Sequence, residues 1–279
     1  MIDVVPPRIG IVGLGAIGGS LALALRRRPE FSISAWSLDV HDRGEAERAG
    51  IRVAASLDAL ARDIDLAVLA VPLDAIAELA RTMLVQARSL TIVHTASLQR
   101  ATAIGIDGES RARVVGAHPI AGTHTAGFAG ARPDLFERAV VSVEPRLSPP
   151  LHDLVCEMWL AAGAARIEVR DAAAHDDLMA WVSHLPQLVA TSLAATLAQH
   201  DIAPSAIGPG ARDTTRLAQS SLDMWRPLLE RAPPETRHAL GALAQTIASL
   251  EHALESGTLA PLEQVWDRAR RWRAAGEHV

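Results

Sequence analysis

The chain has 279 residues, of which 49% are hydrophobic and 21% charged, and its formal net charge is −5. This length accommodates two domains of ordinary size, and the mildly acidic balance predicts no nucleic-acid partner. The single cysteine, Cys156, excludes an internal disulfide and a cysteine-rich metal site, so we expect no metal and a reducing, cytoplasmic compartment. From the sequence we expect no signal peptide, no membrane-spanning stretch of roughly 20 apolar residues and no membrane partner.

The basic residues narrow the possible chemistry. All 27 of them are arginine, and the chain contains no lysine, no tyrosine and no asparagine. Any mechanism that needs a lysine base, a Schiff-base lysine, a Walker lysine or a Tyr–Lys pair is therefore excluded.

A glycine motif follows the first predicted strand, Arg8–Val12, and precedes a helical stretch, Gly19–Arg28. In a GxGxxG motif at this place, the first glycine permits a tight turn and the second lets the backbone approach a pyrophosphate. The third lets helix and strand pack closely, and the anion lies at the helix N-terminus. We predict dinucleotide binding rather than a purely structural glycine turn. The predicted cofactor-binding residues of this loop are Gly13, Gly15, Ala16, Ile17 and Gly18.

The end of the second predicted strand, Phe31–Trp36, bears on which nucleotide binds. An acidic residue that holds the adenosine ribose is expected about 20 residues past the glycines. Ser37 occupies that position, and the nearest acid is Asp39. A serine would tolerate the 2′-phosphate of NADP, which Arg43 could meet, whereas Asp39 favours NAD; Ser37 could also simply cap the following turn. These residues leave NAD and NADP both open.

Strands and helices alternate through the first 170 residues. The later predicted strands are Asp65–Val71 (ended by Pro72, a further predicted cofactor-binding residue), Leu90–Val93, Arg113–Val115, Ala139–Val143 and Ala165–Val169. The predicted helices between them are Leu73–Met83 and Leu151–Ala162. This alternation predicts an α/β fold with a Rossmann-type, doubly wound parallel sheet, whose ligand crevice lies beyond the carboxyl ends of the strands.

Two polar residues follow strands of this sheet, so both are expected to face the crevice: Ser97 and His118. Pro119 restricts the backbone of His118, which places the imidazole on a stiff loop suited to proton transfer near neutral pH. The alternative is a loop histidine with no chemical role.

The character of the chain changes at residue 171. The second half has no strand signal; it contains a helical pattern at Asp171–His200 interrupted by Pro186, a Gly/Pro break at residues 207–211, a helix start at residues 225–227, and helices Glu235–Ser256 and Leu262–Ala275. We predict a dinucleotide-binding Rossmann domain at 1–170 and an all-α substrate and dimerisation domain at 171–279. A domain this small cannot bury the apolar faces of long helices by itself, and such helices often pack against a second subunit. We therefore expect a homodimer.

Four stretches together resemble the prephenate/arogenate dehydrogenase family of tyrosine biosynthesis: GLGAIGGS, GAHPIAGT, HDDLMAWVSHLP (residues 175–186) and GARDTTRLAQSSLDMW (residues 210–225). The resemblance covers nearly the whole chain, and its HPxAGT, HDxxxAxxSHLP and RDTTR elements are specific. It implies an NAD(P)-dependent enzyme that oxidatively decarboxylates prephenate to 4-hydroxyphenylpyruvate, arogenate to tyrosine, or both. Hydride leaves C4 of the cyclohexadienol, the 4-hydroxyl loses its proton, and the ring carboxylate departs as CO₂.

The resemblance also implies residue roles. His118 matches the family's histidine at the 4-hydroxyl, Ser97 a serine near the nicotinamide, and Arg216 the arginine that orients the dianionic substrate. From the residues alone, Arg216 could instead pair with Asp213 on one helix face. The remaining predicted substrate-site residues are Asp213, His124, Gln187, His184 and Trp225.

Several of these residues have alternatives that the sequence leaves open. His175 and Asp176 could contact substrate or cap a helix N-terminus. His184 fits a buried, hydrogen-bonded histidine that supports the cleft better than it fits a catalyst. Trp225 could line the substrate pocket or pack in the core.

The chain departs from the family pattern in three places. His124 replaces the acid of HPxAGTE, and Gln187 replaces the last histidine of SHLPH; the family places both near the substrate's side chain. The serine loop, usually DVxSVK, reads HTASLQ, so His94 replaces the acid and Gln99 the lysine. Because of the first two changes, the substrate could be prephenate or arogenate, and we favour arogenate or the use of both. The same changes leave open whether tyrosine inhibits the enzyme by feedback.

Two other functions are compatible with the architecture. One is another Rossmann-plus-helical reductase, such as an imine reductase; β-hydroxyacid dehydrogenases need a lysine that this chain lacks. The other is a non-catalytic nucleotide-binding regulator, against which the retention of Ser97, His118 and Arg216 argues. A regulator would bind the nucleotide without reducing it.

Overall fold

The computed structural model describes residues 6–123 and 125–275. Its strands are β1 (Arg8–Val12), β2 (Ser32–Trp36), β3 (Leu66–Leu69), β4 (Thr91–His94), β5 (Val114–Pro119), β6 (Val140–Val143) and β7 (Arg166–Val169). Its α-helices are α1 (Ala16–Leu25), α2 (Val40–Arg48), α3 (Leu57–Arg62), α4 (Ile76–Gln86), α5 (Ala101–Ile104), α6 (Pro149–Ala161), α7 (Ala172–Met179), α8 (Leu185–Gln199), α9 (Pro209–Thr215), α10 (Leu222–Glu230), α11 (Pro234–Ser256) and α12 (Ala260–Ala275).

The strands form one seven-stranded sheet in the order β2-β1-β3-β4-β5-β6-β7. Strands β1 to β5 are parallel, which confirms the predicted Rossmann-type sheet. The prediction of a wholly parallel sheet is wrong at one pair, because β6 runs antiparallel to β5 and β7 then runs parallel to β6. A parallel connection needs a crossover, usually a helix. The described residues between β5 and β6 contain only a short 3₁₀ turn, Phe128–Gly130.

Two apolar clusters make the core of the sheet domain. One contains Trp159, which is fully buried and packs edge-on against Phe136 with ring centroids 5.1 Å apart. The other contains Val12, Leu69 and Met83. Val12 and Leu69 are paired in register at the carboxyl ends of β1 and β3, so this cluster supports the sheet edge where ligands of such folds bind.

The long helical pattern of the second half is continuous rather than interrupted at Pro186. Helix α7 leads into a π-helical turn, Ala180–His184, and then directly into α8. Pro186 lies in the first turn of α8, directly after the π-helical turn.

The predicted helix start at residues 225–227 is also wrong. Helix α10 begins at Leu222, because the Ser221 hydroxyl caps it by accepting from Met224 N at 3.4 Å. Pro227 consequently lies inside this helix rather than in its first turn.

The chain divides into two compact units, one made of Met1–Met179 and Gln219–Ala232 and the other of Ala180–Ala218 and Pro233–Val279. The first contains the whole sheet together with α7 and α10; the second contains α8, α9, α11 and α12. The domain boundary after residue 170 stays a prediction. None of the described helices combines the length and the apolar character that crossing a membrane requires.

Candidate active site

The glycine loop between β1 and α1 has the geometry that its motif predicts. Gly13 has a φ of +90°, and a Cβ there would collide with the carbonyl oxygen of Ala70. A Cβ at Gly18 would collide with the carbonyl oxygen of Gly13, so this glycine serves close packing. Gly15 differs, because a Cβ there would meet nothing within 4 Å. Its open side leaves room for a ligand to approach the backbone.

Helix α1 begins directly after Gly15, so Ala16 and Ile17 lie in its first turn. No side chain caps this helix, and its first N–H groups are available to an anion. The close backbone packing at Gly13 and Gly18, the open space beside Gly15 and the uncapped N-terminus of α1 together fit a bound pyrophosphate.

A cavity of about 810 Å³ adjoins this loop and contains most of the predicted cofactor-binding residues. Gly13, Gly15, Ser37, Asp39 and Pro72 all line it. The other acidic side chains in its lining are those of Asp42 and Glu78, and its described lining contains no basic residue. The cavity is therefore electronegative where a nucleotide's ribose would lie.

The residues at the end of β2 bind mainly one another. The Ser37 hydroxyl accepts from Asp39 N at 3.3 Å, so its turn-capping role is present. The Asp39 carboxylate caps α2 by accepting from His41 N at 2.7 Å and Asp42 N at 3.2 Å. Arg43 donates to the Ser37 carbonyl oxygen at 2.7 Å, which ties its guanidinium to the protein backbone.

His118 is the second-last residue of β5, and its side chain begins a hydrogen-bonded series of side chains. Its Nδ1 lies 3.0 Å from His175 Nε2, and His175 Nδ1 lies 2.9 Å from Asp176 Oδ1. His175 and Asp176 are both buried, and His118 is half-buried. A histidine is thus linked through a second histidine to a carboxylate, an arrangement that orients an imidazole and supports a charge on it.

The Asp176 carboxylate is held by the loop after β4. Its Oδ1 accepts from Gln99 N at 2.8 Å, and its Oδ2 accepts from Arg100 N at 3.0 Å. Ser97 lies two residues earlier in this loop and is half-buried. Because β4 and β5 are parallel neighbours, Ser97 and His118 both lie at the carboxyl edge of the sheet, as predicted from the sequence.

Sequence reasoning missed the part that His175 and Asp176 play. Capping of α7, one of the two alternatives, is performed instead by Asp171, whose Oδ1 accepts from Ala173 N and Ala174 N at 3.0 Å each. The available signal was composition: three consecutive titratable residues, His175–Asp177, within an otherwise apolar helical stretch imply partners elsewhere in the fold.

The imidazole of His118 is strongly biased toward its neutral form. Burial, with the neighbouring His175 and His94 imidazoles, lowers the pKa of His118 to about 3. The group is therefore uncharged throughout the neutral range and can accept a proton.

The remaining predicted substrate residues lie mostly in the second unit. Arg216 and Asp213 are exposed, and neither takes part in an ion pair among the described residues, so the alternative of an intrahelical pair between them is not realised. Gln187 is buried and donates to Leu217 O at 3.0 Å and Thr191 Oγ1 at 3.3 Å. His184 is fully buried with Nδ1 2.8 Å from Thr236 Oγ1, as expected of a supporting histidine.

Two predicted residues remain. Trp225 lies in α10, in the first unit, and is half-buried. His124 lies outside the described residues.

Comparison with known proteins bears on the whole chain. The family model for the prephenate dehydrogenase nucleotide-binding domain matches residues 21–168, and that for the prephenate dehydrogenase dimerization domain matches residues 171–267. The prephenate dehydrogenase of Lactococcus lactis subsp. cremoris is 25% identical over 280 residues, which cover 97% of this chain and 77% of that protein. The cyclohexadienyl dehydrogenase of Zymomonas mobilis subsp. mobilis is 29% identical over 274 residues, covering 89% of this chain and 93% of that one.

A solved structure agrees with both. The crystal structure of prephenate dehydrogenase from Aquifex aeolicus, in complex with hydroxyphenyl propionate and NAD⁺, matches with a TM-score of 0.85 at 25% identity, covering 98% of this chain and 99% of that one.

The Rossmann sheet, the glycine loop and the histidine–carboxylate chain define a nicotinamide-nucleotide-dependent oxidoreductase with a helical second domain. Both of its halves match one family in order. The chain belongs to the prephenate dehydrogenase family. The imine reductase and the non-catalytic regulator are thereby set aside.

Proposed function

We propose that this enzyme oxidatively decarboxylates arogenate, or arogenate and prephenate, with NAD as hydride acceptor, and that His118 is its base. The observation that carries this proposal is the hydrogen-bonded chain from His118 through His175 to Asp176, at the sheet edge that also bears the glycine loop.

The hydrogen bonds of this chain determine which atom can act as the base. The Asp176 carboxyl oxygens accept two backbone N–H groups and serve as acceptors toward His175 as well, so His175 donates to Asp176 from Nδ1. His175 Nε2 then carries a lone pair and accepts from His118 Nδ1. His118 Nε2 is left with the free lone pair that can meet the substrate's 4-hydroxyl.

A base of low proton affinity suits this reaction. When bound, the oxidised nicotinamide accepts the hydride from C4 of the cyclohexadienol ring. As that hydride leaves, the 4-hydroxyl acquires the acidity of a protonated carbonyl, so His118 can take its proton despite a pKa of about 3. The developing positive charge on His118 is stabilised through His175 by the Asp176 carboxylate, while departure of the ring carboxylate as CO₂ makes the ring aromatic.

The choice of NAD over NADP rests on the charges of the cavity. Asp39, Asp42 and Glu78 would repel a 2′-phosphate, and Arg43, which could have met that phosphate, is bound to the Ser37 carbonyl. The preference for arogenate rests on the neutral Gln187, whose amide is engaged by Leu217 and Thr191. The SHLPH pattern of the family that this sequence resembles implies a histidine at that position.

The first test is a rate assay with prephenate or arogenate, each with NAD or NADP, which follows the reduced nicotinamide. We expect turnover of arogenate with NAD, and a kcat/KM for NAD at least about tenfold above that for NADP, since one repelled charge of about 1.4 kcal/mol gives that factor. Equal rates with NADP would contradict the cofactor assignment. If the protein binds the nucleotide but reduces it with neither substrate in any of the four combinations, the proposed function is contradicted.

We further propose that Arg216 binds a carboxylate of the substrate. Its guanidinium is exposed and unpaired among the described residues, so its charge is available to an anion. Arg216→Ala should raise KM for the cyclohexadienyl substrate about 10- to 100-fold with a smaller effect on kcat, because a charged hydrogen bond contributes about 1.5–3 kcal/mol. Arg212→Ala removes another exposed arginine from the same segment and should leave KM unchanged. A KM that moves equally in both variants, or in neither, would exclude this role.

We also propose that the second unit forms a homodimer. Helix α11 exposes Leu240, Ile247 and Leu254, spaced seven residues apart and therefore on one face of the helix. An exposed apolar stripe of this kind fits a second copy of the chain. Ile247→Asp should shift the sedimentation coefficient from dimer to monomer, whereas Gln245→Asp, on another face of the same helix, should not. A wild-type chain that sediments as a monomer would contradict the proposal.

A further inference from the structure

The hydrogen-bond ladder between β5 and β6 changes character where β6 ends. In register, Ala117 pairs with Val143, so the next pair along these antiparallel strands is Gly116 with Glu144. One bond expected of that pair is present, because Glu144 N donates to Gly116 O at 3.0 Å. For the other bond, Gly116 N donates to the side chain of Glu144 instead of its carbonyl oxygen, reaching Oε2 at 2.7 Å.

The next residue explains why a side chain takes this place. Strand β6 ends at Val143, and Pro145 follows Glu144 and begins a turn. A proline has no N–H for a ladder and restricts the residue before it, so the backbone leaves the sheet here. The carboxylate of Glu144 therefore supplies the acceptor at the point where the backbone of β6 turns away from β5.

Arg146 extends this contact along the same edge of β5. Its Nη2 donates to Val114 O at 2.9 Å, and its Nη1 donates to Arg111 O at 2.6 Å. Its Nε and Nη2 also donate to Glu144 Oε1 and Oε2, at 3.1 and 2.9 Å, which makes a bidentate pair. Glu144 and Arg146, which we call the edge pair, thus bind the backbone of β5 and of the turn before it.

The edge pair is shielded from water. The side chain of Glu144 is 2% exposed and that of Arg146 is 30% exposed. The two carboxylate oxygens of Glu144 accept three hydrogen bonds, one from Gly116 N and two from Arg146. Because an acceptor that is charged and paired with a guanidinium binds an N–H more strongly than a carbonyl does, Gly116 is held more firmly than a ladder bond alone would hold it.

The backbone that the edge pair binds leads directly to the proposed base. Gly116 lies two residues before His118 in β5, and Ala117 between them is buried, so a displacement of Gly116 is passed on to His118 rather than absorbed by a loop. His118 Nδ1 must also stay within reach of His175 Nε2, 3.0 Å away on another element. A misplacement of about 1 Å at a reacting group can lower the rate about 100-fold.

We infer that Glu144 and Arg146 are positioning residues, which hold the carboxyl end of β5 and with it the imidazole of His118 in the place from which it meets the substrate. Neither residue lines the nucleotide cavity, so the edge pair acts on turnover through His118 and not through the nucleotide. The catalytic part of this inference rests on the proposed role of His118 as the base.

The first test replaces the charge of the edge pair while keeping its size. Glu144→Gln should lower kcat with NAD about 10- to 100-fold, because one of the two charged acceptors is lost and β5 is held less firmly. Arg146→Lys keeps the charge but loses the fork, so it should lower kcat by a smaller factor. The Kd for NAD should stay within about twofold of wild type in both variants. The matched control is Glu168→Gln on β7, which removes a carboxylate that pairs with the side chains of Arg166 and Arg170 and should leave kcat unchanged.

A second measurement separates positioning from a general loss of structure. In the double variant His118→Ala/Glu144→Gln, kcat should fall no further than in His118→Ala, because the effect of Glu144 passes through His118. The imidazole signals of His118, followed by NMR in the full-length protein with NAD bound, should move in Glu144→Gln and stay in place in Glu168→Gln. If Glu144→Gln does not fold, Arg146→Lys takes its place in both measurements.

Two results would overturn the inference: a wild-type kcat in both Glu144→Gln and Arg146→Lys, or a loss in Glu144→Gln that adds in full to that of His118→Ala. If the His118 signals move in Glu144→Gln while His118→Ala retains turnover, the edge pair positions the imidazole as inferred but His118 is not the base. The failure of the inference and the failure of the proposed function are therefore distinguishable.

Discussion

Replacement of His118 by alanine should lower kcat about 10²- to 10⁴-fold, the range typical of a lost general base. The variant loses the Nε2 lone pair that meets the 4-hydroxyl, and His175 loses the donor at 3.0 Å that orients it. The Kd for NAD should stay within about twofold of wild type, because His118 does not line the nucleotide cavity, which is formed mainly by the segments that follow β1, β2 and β3. Single-turnover kinetics and a nucleotide-binding titration would measure the two quantities.

The control for this variant is His200→Ala, which removes an exposed histidine at the end of α8. Its kcat should equal that of wild type. If His118→Ala retained turnover, His118 would be removed from the mechanism, and the chain through His175 would have only a structural role.

The second large effect is expected at Asp176, which lies at the far end of the hydrogen-bonded series that begins with His118. Asp176→Asn should lower kcat about 100-fold or more, and the protein should also lose free energy of unfolding. The amide offers one acceptor oxygen where the carboxylate accepts from Gln99 N, Arg100 N and His175 Nδ1. A buried donor left unpaired costs about 1–3 kcal/mol. An amide N–H facing His175 would also force the opposite tautomer along the chain, which leaves a proton on the atom of His118 that must accept one.

Asp177→Asn is the matched control, since it changes the adjacent carboxylate, which is half-exposed and pairs with Arg100 at 2.7 Å. A half-exposed ion pair contributes little, so kcat should change less than about threefold. In the double variant His118→Ala/Asp176→Asn, kcat should fall no further than in His118→Ala, because the two residues act as one unit. Additive losses would show that they act separately.

The sheet was largely predictable because its strands are short apolar runs bounded by turn residues. Strand β1 has the predicted bounds, Arg8–Val12, and the glycine loop has the predicted place and geometry. Helix α2 was not predicted, because it buries only Ala46 and so has no apolar stripe; a single carboxylate, Asp39, caps it. The reversed direction of β6 was not predictable from its pattern, since a buried apolar run is the same in either direction.

The candidate site was predictable only in part, for a similar reason. A glycine motif is contiguous, so the sequence displays it directly. His118 and His175 are separated by 57 residues, and Gln99 and Asp176 by 77, so no local pattern reveals that they are bonded. His175 and Asp176 could be recognised as polar residues in an apolar stretch, but their partners come from two other elements of the sheet domain.

The antiparallel pairing of β5 with β6 has a consequence for how such enzymes diverge. In a parallel pair the connecting chain must return to the opposite edge of the sheet, so its length is constrained by the crossover. Here β5 ends and β6 begins at the same edge, the one that carries His118. The segment between them can gain or lose residues without moving a strand. Related enzymes can therefore differ in the β5–β6 segment, at the entrance of the crevice, while the strands and the His118–His175–Asp176 side chains keep their places.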